Sequence, residues 1–455
     1  MKRLLAVVVL TLAVATPGAV AAARPAAAAV PSPAATQHAP VTPISHLVVM
    51  TQDQHSFDNY FGARPGVDGL PTGVCVPVKI AAARPCVRPF PVPSGKPGSQ
   101  LRTTVAAERT SVDQGRMDGF VQAQTRRTSD GTAAMGYYRP SDIPTLSQLA
   151  DRAVVFDRWF SGVPGGTIPN RLFAVTARTT TAEGEVPTTG WVGMPTIFDE
   201  LTAAGVSWRI YVENYEHALT LDTASTKSRS GGQIARVPVL AMRRYLDNPA
   251  LLGHVRRLDD YYVDLATGKL PAVAYVVSTA STEHPPASPT AGQALARTVV
   301  NSLIASSAWP SSAFLLNYDS SGGWYDHVAP PTVNGAQLGL RVPALLMSPY
   351  TSPGTVDHTQ YDSAATLGFI EHNWTLAPLT ARDRDAGDLS TAFAFNRRPA
   401  PAALVVPSGE RPAIRQPHSA TLYIGYGLAL AAGAGVLAWT LAGERRRRRV
   451  KVNAA

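Results

Sequence analysis

Apolar residues in this chain come in short, nearly unbroken runs rather than in strict alternation. Leu47–Met50, Ala153–Phe156, Ser207–Val212, Val273–Val277, Phe314–Leu316 and Ala344–Met347 are the clearest of them. A strand with one wet face alternates apolar and polar positions, whereas a strand buried on both faces reads as a continuous apolar run. Between the runs, Ile197–Ala204 and Ala294–Ala305 repeat their apolar residues at helical spacing, which gives each a face to lay on a sheet. The pattern predicts an α/β fold, a central and mostly parallel sheet flanked by helices, over residues 43–395. Gly69–Gly98 is rich in proline and reads as a long surface insertion. The chain has no internal repeat, no P-loop, no HExxH and no GxSxG elbow, and the last absence argues against a carboxylesterase.

The two ends follow different rules. Residues 1–23 run from Lys2–Arg3 through apolar Leu4–Val14 to small residues near Ala21, the order of a secretory signal. Residues 24–42 form an Ala/Pro-rich linker, and 396–420 a Pro-rich stalk. Residues 421–443 carry no charge over 23 positions, enough for one C-terminal transmembrane helix. The basic tail, 444–455, holds Arg445–Arg449 and Lys451, and by the positive-inside rule it predicts a cytoplasmic C-terminus. The expectation is therefore a single-pass cell-membrane protein with its large domain outside. Of the net charge of +9, Lys2 and Arg3 supply +2 and the tail, with Glu444, +5; the small remainder suggests no nucleic-acid partner. Cys75 and Cys86 sit in the Pro-rich insertion, and an exported chain would join them as one disulfide.

Polar residues with chemistry in them cluster just after the apolar runs. Asp53–Gln54 follows Leu47–Met50, and Asp319–Ser320, Gly322–Gly323 and Asp326–His327 follow Phe314–Leu316. Glu283–His284–Pro285–Pro286 follows Val273–Val277, and Phe160–Phe173 contains Gly165–Gly166–Thr167 and Asn170–Arg171. In open α/β sheets ligands bind beyond the carboxyl ends of the strands, which is where these residues would fall. Each also has an ordinary reading. Asp319 caps a helix, Thr167 is a turn threonine, and Arg171 opens a helix. His284 is displayed by its prolines or caps a loop, and His327 belongs to a packed turn beside Trp324–Tyr325.

Taken in order, and with Arg341–Tyr350 added, these segments resemble the bacterial phosphoesterase family that contains phospholipases C and certain acid phosphatases. That family has the alkaline-phosphatase-like fold. The resemblance implies one divalent metal ion held by Asp53, Gln54 and Asp319, with Thr167 attacking phosphorus and His284 and His327 assisting. It implies that Asn170 and Arg171 contact a phosphate ester or phospholipid substrate. A phosphoryl group is ringed by negative oxygens, so positive charge and an activated hydroxyl are what its hydrolysis requires, and hard oxygen ligands suit Mg²⁺, Ca²⁺ or Mn²⁺.

The sequence departs from the family pattern at those same points. Asp53–Gln54–His55 stands for the usual Glu-Asn-Arg, and Asp319–Ser320–Ser321 for Asp-Glu-His. Ser363 replaces a further histidine, and residues 100–114 contain none. Three imidazoles and one carboxylate are missing, which leaves a second reading open: a catalytically silent surface domain of the same fold that binds a ligand or partner.

Overall fold

A computed structural model of the chain describes residues 38–80, 85–93, 98–125, 130–178, 185–229 and 231–404. Its central sheet contains β1 (His46–Gln52), β2 (Val154–Phe156), β3 (Trp208–Val212), β4 (Val255–Arg257), β5 (Val273–Val277), β6 (Ser312–Tyr318), β7 (Ala344–Met347) and β8 (Val356–Asp357). The strands lie in the order β8-β2-β7-β6-β1-β5-β3-β4. β7 runs antiparallel to both neighbours and every other pairing is parallel, so the sheet is mixed but mostly parallel. Every residue of β5, β6 and β7 is buried, which is why they appear in the sequence as apolar runs. β4 and β8 are short edge strands, VRR and VD, with no apolar run to announce them.

The helices that matter for the site are α1 (Phe57–Phe61), α2 (Val105–Val112), α3 (Thr167–Thr176), α4 (Ile197–Ala203), α5 (Gly232–Arg236) and α6 (Pro289–Ile304). α4 starts on a reciprocal cap between Thr196 and Asp199. α6 begins five residues before its expected start, because Ser288 caps it and Pro289 suits the first helical position.

The registers set where the site falls. Met50 of β1 stands opposite Val276 of β5 on one side and Leu316 of β6 on the other. Gln52 pairs with Tyr318, so Asp53 and Asp319 leave adjacent strands side by side, and the Asp319 N–H donates to the Gln52 carbonyl at 3.0 Å.

Two expectations need correction. The Pro-rich insertion is not confined to the surface. Val76 is buried in a second apolar cluster with Leu101, Val112, Phe120, Trp324 and Leu340, because the insertion folds back on the helix Phe120–Gln124, where Ile80 N donates to Gln122 Oε1 at 2.7 Å. The insertion does carry the Cys75–Cys86 disulfide. Among the described residues no helix is long and apolar enough to cross a membrane. The expected signal at 1–23, membrane helix at 421–443 and basic tail lie outside the described residues. The placement as a single-pass cell-membrane protein is therefore withdrawn.

Candidate active site

Past Asp53 the backbone turns sharply. Gln54 has φ +58, a left-handed conformation that costs a residue with a Cβ atom energy and is retained where the surroundings enforce it. The enforcing contact is Gly322, from the loop after β6. A Cβ there would lie 2.2 Å from the Gln54 carbonyl oxygen, and Gly322 itself has φ +67. Only glycine lets the two strand-end loops approach this closely.

The nucleophile candidate comes from a third direction. Gly165, at φ +114, and Gly166 lead into Thr167, the first residue of α3. Thr167 Oγ1 accepts a hydrogen bond from Gln54 Nε2 at 3.1 Å. The glycine turn is held from behind by Glu108 of α2, whose buried carboxylate accepts from Gly165 N at 2.8 Å and Leu340 N at 3.1 Å. Burial pushes the Glu108 carboxyl up to about 7, against the pull of those two N–H groups. Asn170 holds the turn from within. Its Nδ2 donates to the Gly166 carbonyl at 3.0 Å and its Oδ1 accepts from Val163 N at 3.1 Å. Asn170 is only 2 % exposed, so the amide expected to touch substrate is occupied in shaping the loop. The first turn of α3 thus presents a hydroxyl and a partial positive charge together.

Arg171, one residue further on, is 4 % exposed and faces the strand ends. Its Nη2 donates to Asp53 Oδ1 at 2.6 Å and to the Thr51 carbonyl at 2.8 Å, and its Nε to Asp319 Oδ2 at 3.0 Å. Arg236, the last residue of α5, reaches Asp53 Oδ2 through Nε at 2.7 Å. The second oxygen of Asp319 accepts from Gln54 N at 3.2 Å and Ser320 Oγ at 2.9 Å. Burial alone would raise the Asp53 carboxyl, but Arg236 and then Arg171 hold it far below the ordinary carboxylate range. Asp319 is raised, by burial and then by the charge of Asp53, with Arg171 opposing.

As they stand, Asp53, Gln54 and Asp319 do not fit a divalent cation. All four carboxylate oxygens already accept hydrogen bonds, and two guanidiniums already balance two carboxylates. Ser320 supplies a hydroxyl where the family pattern has a second acid, and that hydroxyl points at Asp319. Asp53, Gln54 and Asp319 are the three ligands the sequence led us to expect.

A cleft of about 520 Å³ opens over this network, lined among others by Gln54, Thr103, Thr167, Arg236, Thr279 and His284. His284 follows Glu283, which is at φ +61, and its Nδ1 lies 2.7 Å from the Pro285 carbonyl oxygen. His327 does not line the cleft. Its Nδ1 pairs with Asp58 Oδ2 at 2.7 Å and its Nε2 with Asp68 Oδ1 at 3.0 Å. Asp58, Asp326 and His327 place ligand atoms within 4.8 Å of one another, a group that could hold a metal ion. Buried Arg341 shares that space, 2.8 Å from Asp326 and 3.1 Å from Asp58, and supplies positive charge there already. His327, expected to assist catalysis, is turned by the loop after β6 toward Asp58 of α1.

Arg236 and Glu108 escaped the sequence reading. Arg236 is separated from Asp53 by 183 positions, and its only local signal is a second Gly-Gly pair, Gly231–Gly232, ahead of a short helix. Glu108 sits in an ordinary polar stretch.

The site thus sets a hydroxyl at a helix N-terminus, backed by buried guanidiniums, at the carboxyl edge of a mostly parallel α/β sheet. The chain belongs to the Phosphoesterase family, whose model matches residues 44–377. It is 27 % identical over 434 residues to the non-hemolytic phospholipase C of Pseudomonas aeruginosa, covering 80 % of this chain and 60 % of that one. It thus spans about three-fifths of that relative's length. The non-specific phospholipase C1 of Arabidopsis thaliana is 28 % identical, with coverage of 78 % and 72 %, and phospholipase C A of Mycobacterium tuberculosis is 26 % identical, with 79 % of each. Among solved structures, the phosphonate monoester hydrolase of Agrobacterium radiobacter matches with TM-score 0.40 at 10 % identity, covering 81 % of this chain and 79 % of that one. A protein in the alkaline phosphatase superfamily from Vibrio parahaemolyticus matches with TM-score 0.34 at 12 % identity, covering 75 % and 71 %.

Proposed function

We propose that the cleft hydrolyses a phosphate ester, a phospholipid headgroup ester or a small monoester, with Thr167 as the nucleophile. The observation that carries this reading is the placement of the Thr167 hydroxyl. It stands at the first turn of α3, is held by Gln54, and opens on the same cleft as Arg236 and His284. In the first step Thr167 Oγ bonds to phosphorus as the bond from phosphorus to the alcohol oxygen breaks. His284 takes the hydroxyl proton and passes it to the departing alkoxide. Water then attacks the phosphothreonine and gives its proton to His284, which passes it to Thr167 Oγ as the phosphorus–Oγ bond breaks, restoring the hydroxyl and releasing phosphate. The α3 N-terminus and Arg236 face the charge that builds on the equatorial oxygens. The relatives' names, phospholipases C from bacteria and a plant, support the lipid class of ester.

The test is turnover of nitrophenyl phosphate and nitrophenyl phosphorylcholine by the full chain beside Thr167→Ala and Thr167→Ser. Loss in the alanine variant with partial retention in serine is expected, and the preferred ester separates monoesterase from phospholipase C chemistry. An alanine variant as active as the parent refutes the assignment of Thr167. A folded parent inert on both esters favours the silent binding domain instead.

A further inference from the structure

We propose that Arg171 and Arg236 take the place of a divalent cation in this chain, so that it binds phosphate with no metal ion. The inference rests on the phosphate-ester reading above and deepens it. Three features carry it.

The first is charge. A guanidinium stays protonated at any working pH, so the two arginines bring two fixed positive charges to two carboxylates. The cluster is balanced without a further cation, and a divalent ion would enter against two guanidiniums at hydrogen-bond range of the same oxygens. The second is anchoring. Neither arginine depends on the carboxylates alone for its position. Arg171 also donates to the Thr51 carbonyl at 2.8 Å, at the end of β1, and Arg236 Nη1 donates to the Gly232 carbonyl at 3.1 Å, at the start of its own helix. A cation seeking Asp53 would have to displace two side chains fixed at their other ends. The third is the pattern of substitution around them. Asp53 is shorter by a methylene than the family's glutamate, and its Oδ2 accepts from Arg236 at 2.7 Å. Ser320 replaces the family's second acid, which removes the negative charge that a metal would have needed. Gln54, in place of asparagine, turns its amide nitrogen toward Thr167.

Arg236 also faces the cleft. A guanidinium has five N–H donors, and three are accounted for by Asp53 and Gly232. The others are available to an oxyanion beside Thr167. The arginine thus does both things a metal would do for binding: it neutralises Asp53 and it meets the phosphate.

The experiment uses the full chain and reads binding, so it does not depend on turnover. Metal content is measured by elemental analysis after purification without chelator. The melting temperature is then followed with inorganic phosphate, with EDTA, and with Mg²⁺, Mn²⁺ or Ca²⁺, for the parent, Arg236→Lys and Arg236→Met. The expected result is less than a tenth of an equivalent of metal and a phosphate-dependent rise in melting temperature that EDTA leaves unchanged. That rise should weaken at least tenfold in apparent phosphate affinity in Arg236→Met and partly recover in Arg236→Lys. Freed of its guanidinium, the Met variant should gain a Mn²⁺-dependent rise that the parent lacks. Stoichiometric metal in the parent, or a phosphate response that EDTA abolishes, overturns the proposal. So does a phosphate response that Arg236→Met leaves intact. If Arg236→Met does not fold, Arg236→Lys and the parent decide it. Phosphate binding in EDTA by a chain that turns over no ester would sink the hydrolase reading while leaving this one standing.

Discussion

Asp53→Asn is the sharpest perturbation of the charge network. The side chain is fully buried, and its two oxygens accept from Arg171 on one side and Arg236 on the other. Asparagine keeps one oxygen for one arginine and turns an amide N–H₂ group toward the other. One charge-assisted hydrogen bond, worth about 1.5–3 kcal/mol, is lost outright. The second guanidinium is left buried beside a donor, and breaking one side of a buried ion pair typically costs about 3–5 kcal/mol in total. For a domain of this size that corresponds to a fall in melting temperature of roughly 4–7 °C. Urea unfolding and thermal melts, both in EDTA, measure it. In the double variant Asp53→Asn/Arg236→Met the penalty should be smaller than the sum of the singles by roughly 1–3 kcal/mol, since neither orphaned partner remains. An Asp53→Asn variant within 1 kcal/mol of the parent in EDTA, a limit set below the range for a broken buried pair, would refute the reasoning. Strict additivity in the cycle would do the same. Either result would mean that the arginines are bystanders.

Two further outcomes follow from the loops. Gly322→Ala places a Cβ 2.2 Å from the Gln54 oxygen at a residue already at φ +67, and should destabilise by about 3 kcal/mol in denaturant unfolding; a change inside error would show that the two strand-end loops yield freely. Glu108 is raised from 4.5 to about 7 by burial, so its contribution to stability is complete below pH 4.5 and is lost as pH rises through 7. The linked free energy is on the order of 3 kcal/mol, and a pH series of melts should be flatter by about that amount in Glu108→Gln between pH 4.5 and 7.5; parallel profiles would sink the assignment.

What the sequence shows of this fold is what burial on two faces writes into it. Val273–Val277 and Ala344–Met347 coincide with β5 and β7 because both strands lie wholly inside the sheet. β6 runs beyond its apolar stretch to Tyr318, where Asn317 is buried among neighbours that no local pattern could announce. Asp53, Asp319, Thr167 and His284 were legible as residues after strands, and they do converge on one edge. Their partners were not. The ion pair between Asp53 and Arg236 and that between Asp58 and His327 join residues 183 and 269 positions apart. Asn170 shows the opposite failure: its place in the motif was plain, but its work is to hold Gly165–Gly166, which only the folded loop reveals.

The second apolar cluster changes how the proline-rich insertion should be treated by anyone shortening the chain. Val76, beside the disulfide, belongs to the same apolar cluster as Val112 and Leu340. Val112 ends the helix that carries Glu108, and Leu340 gives its N–H to the same carboxylate. The insertion is thus a buttress: remove it, and the first member to lose its footing is the helix that shapes the turn in front of Thr167.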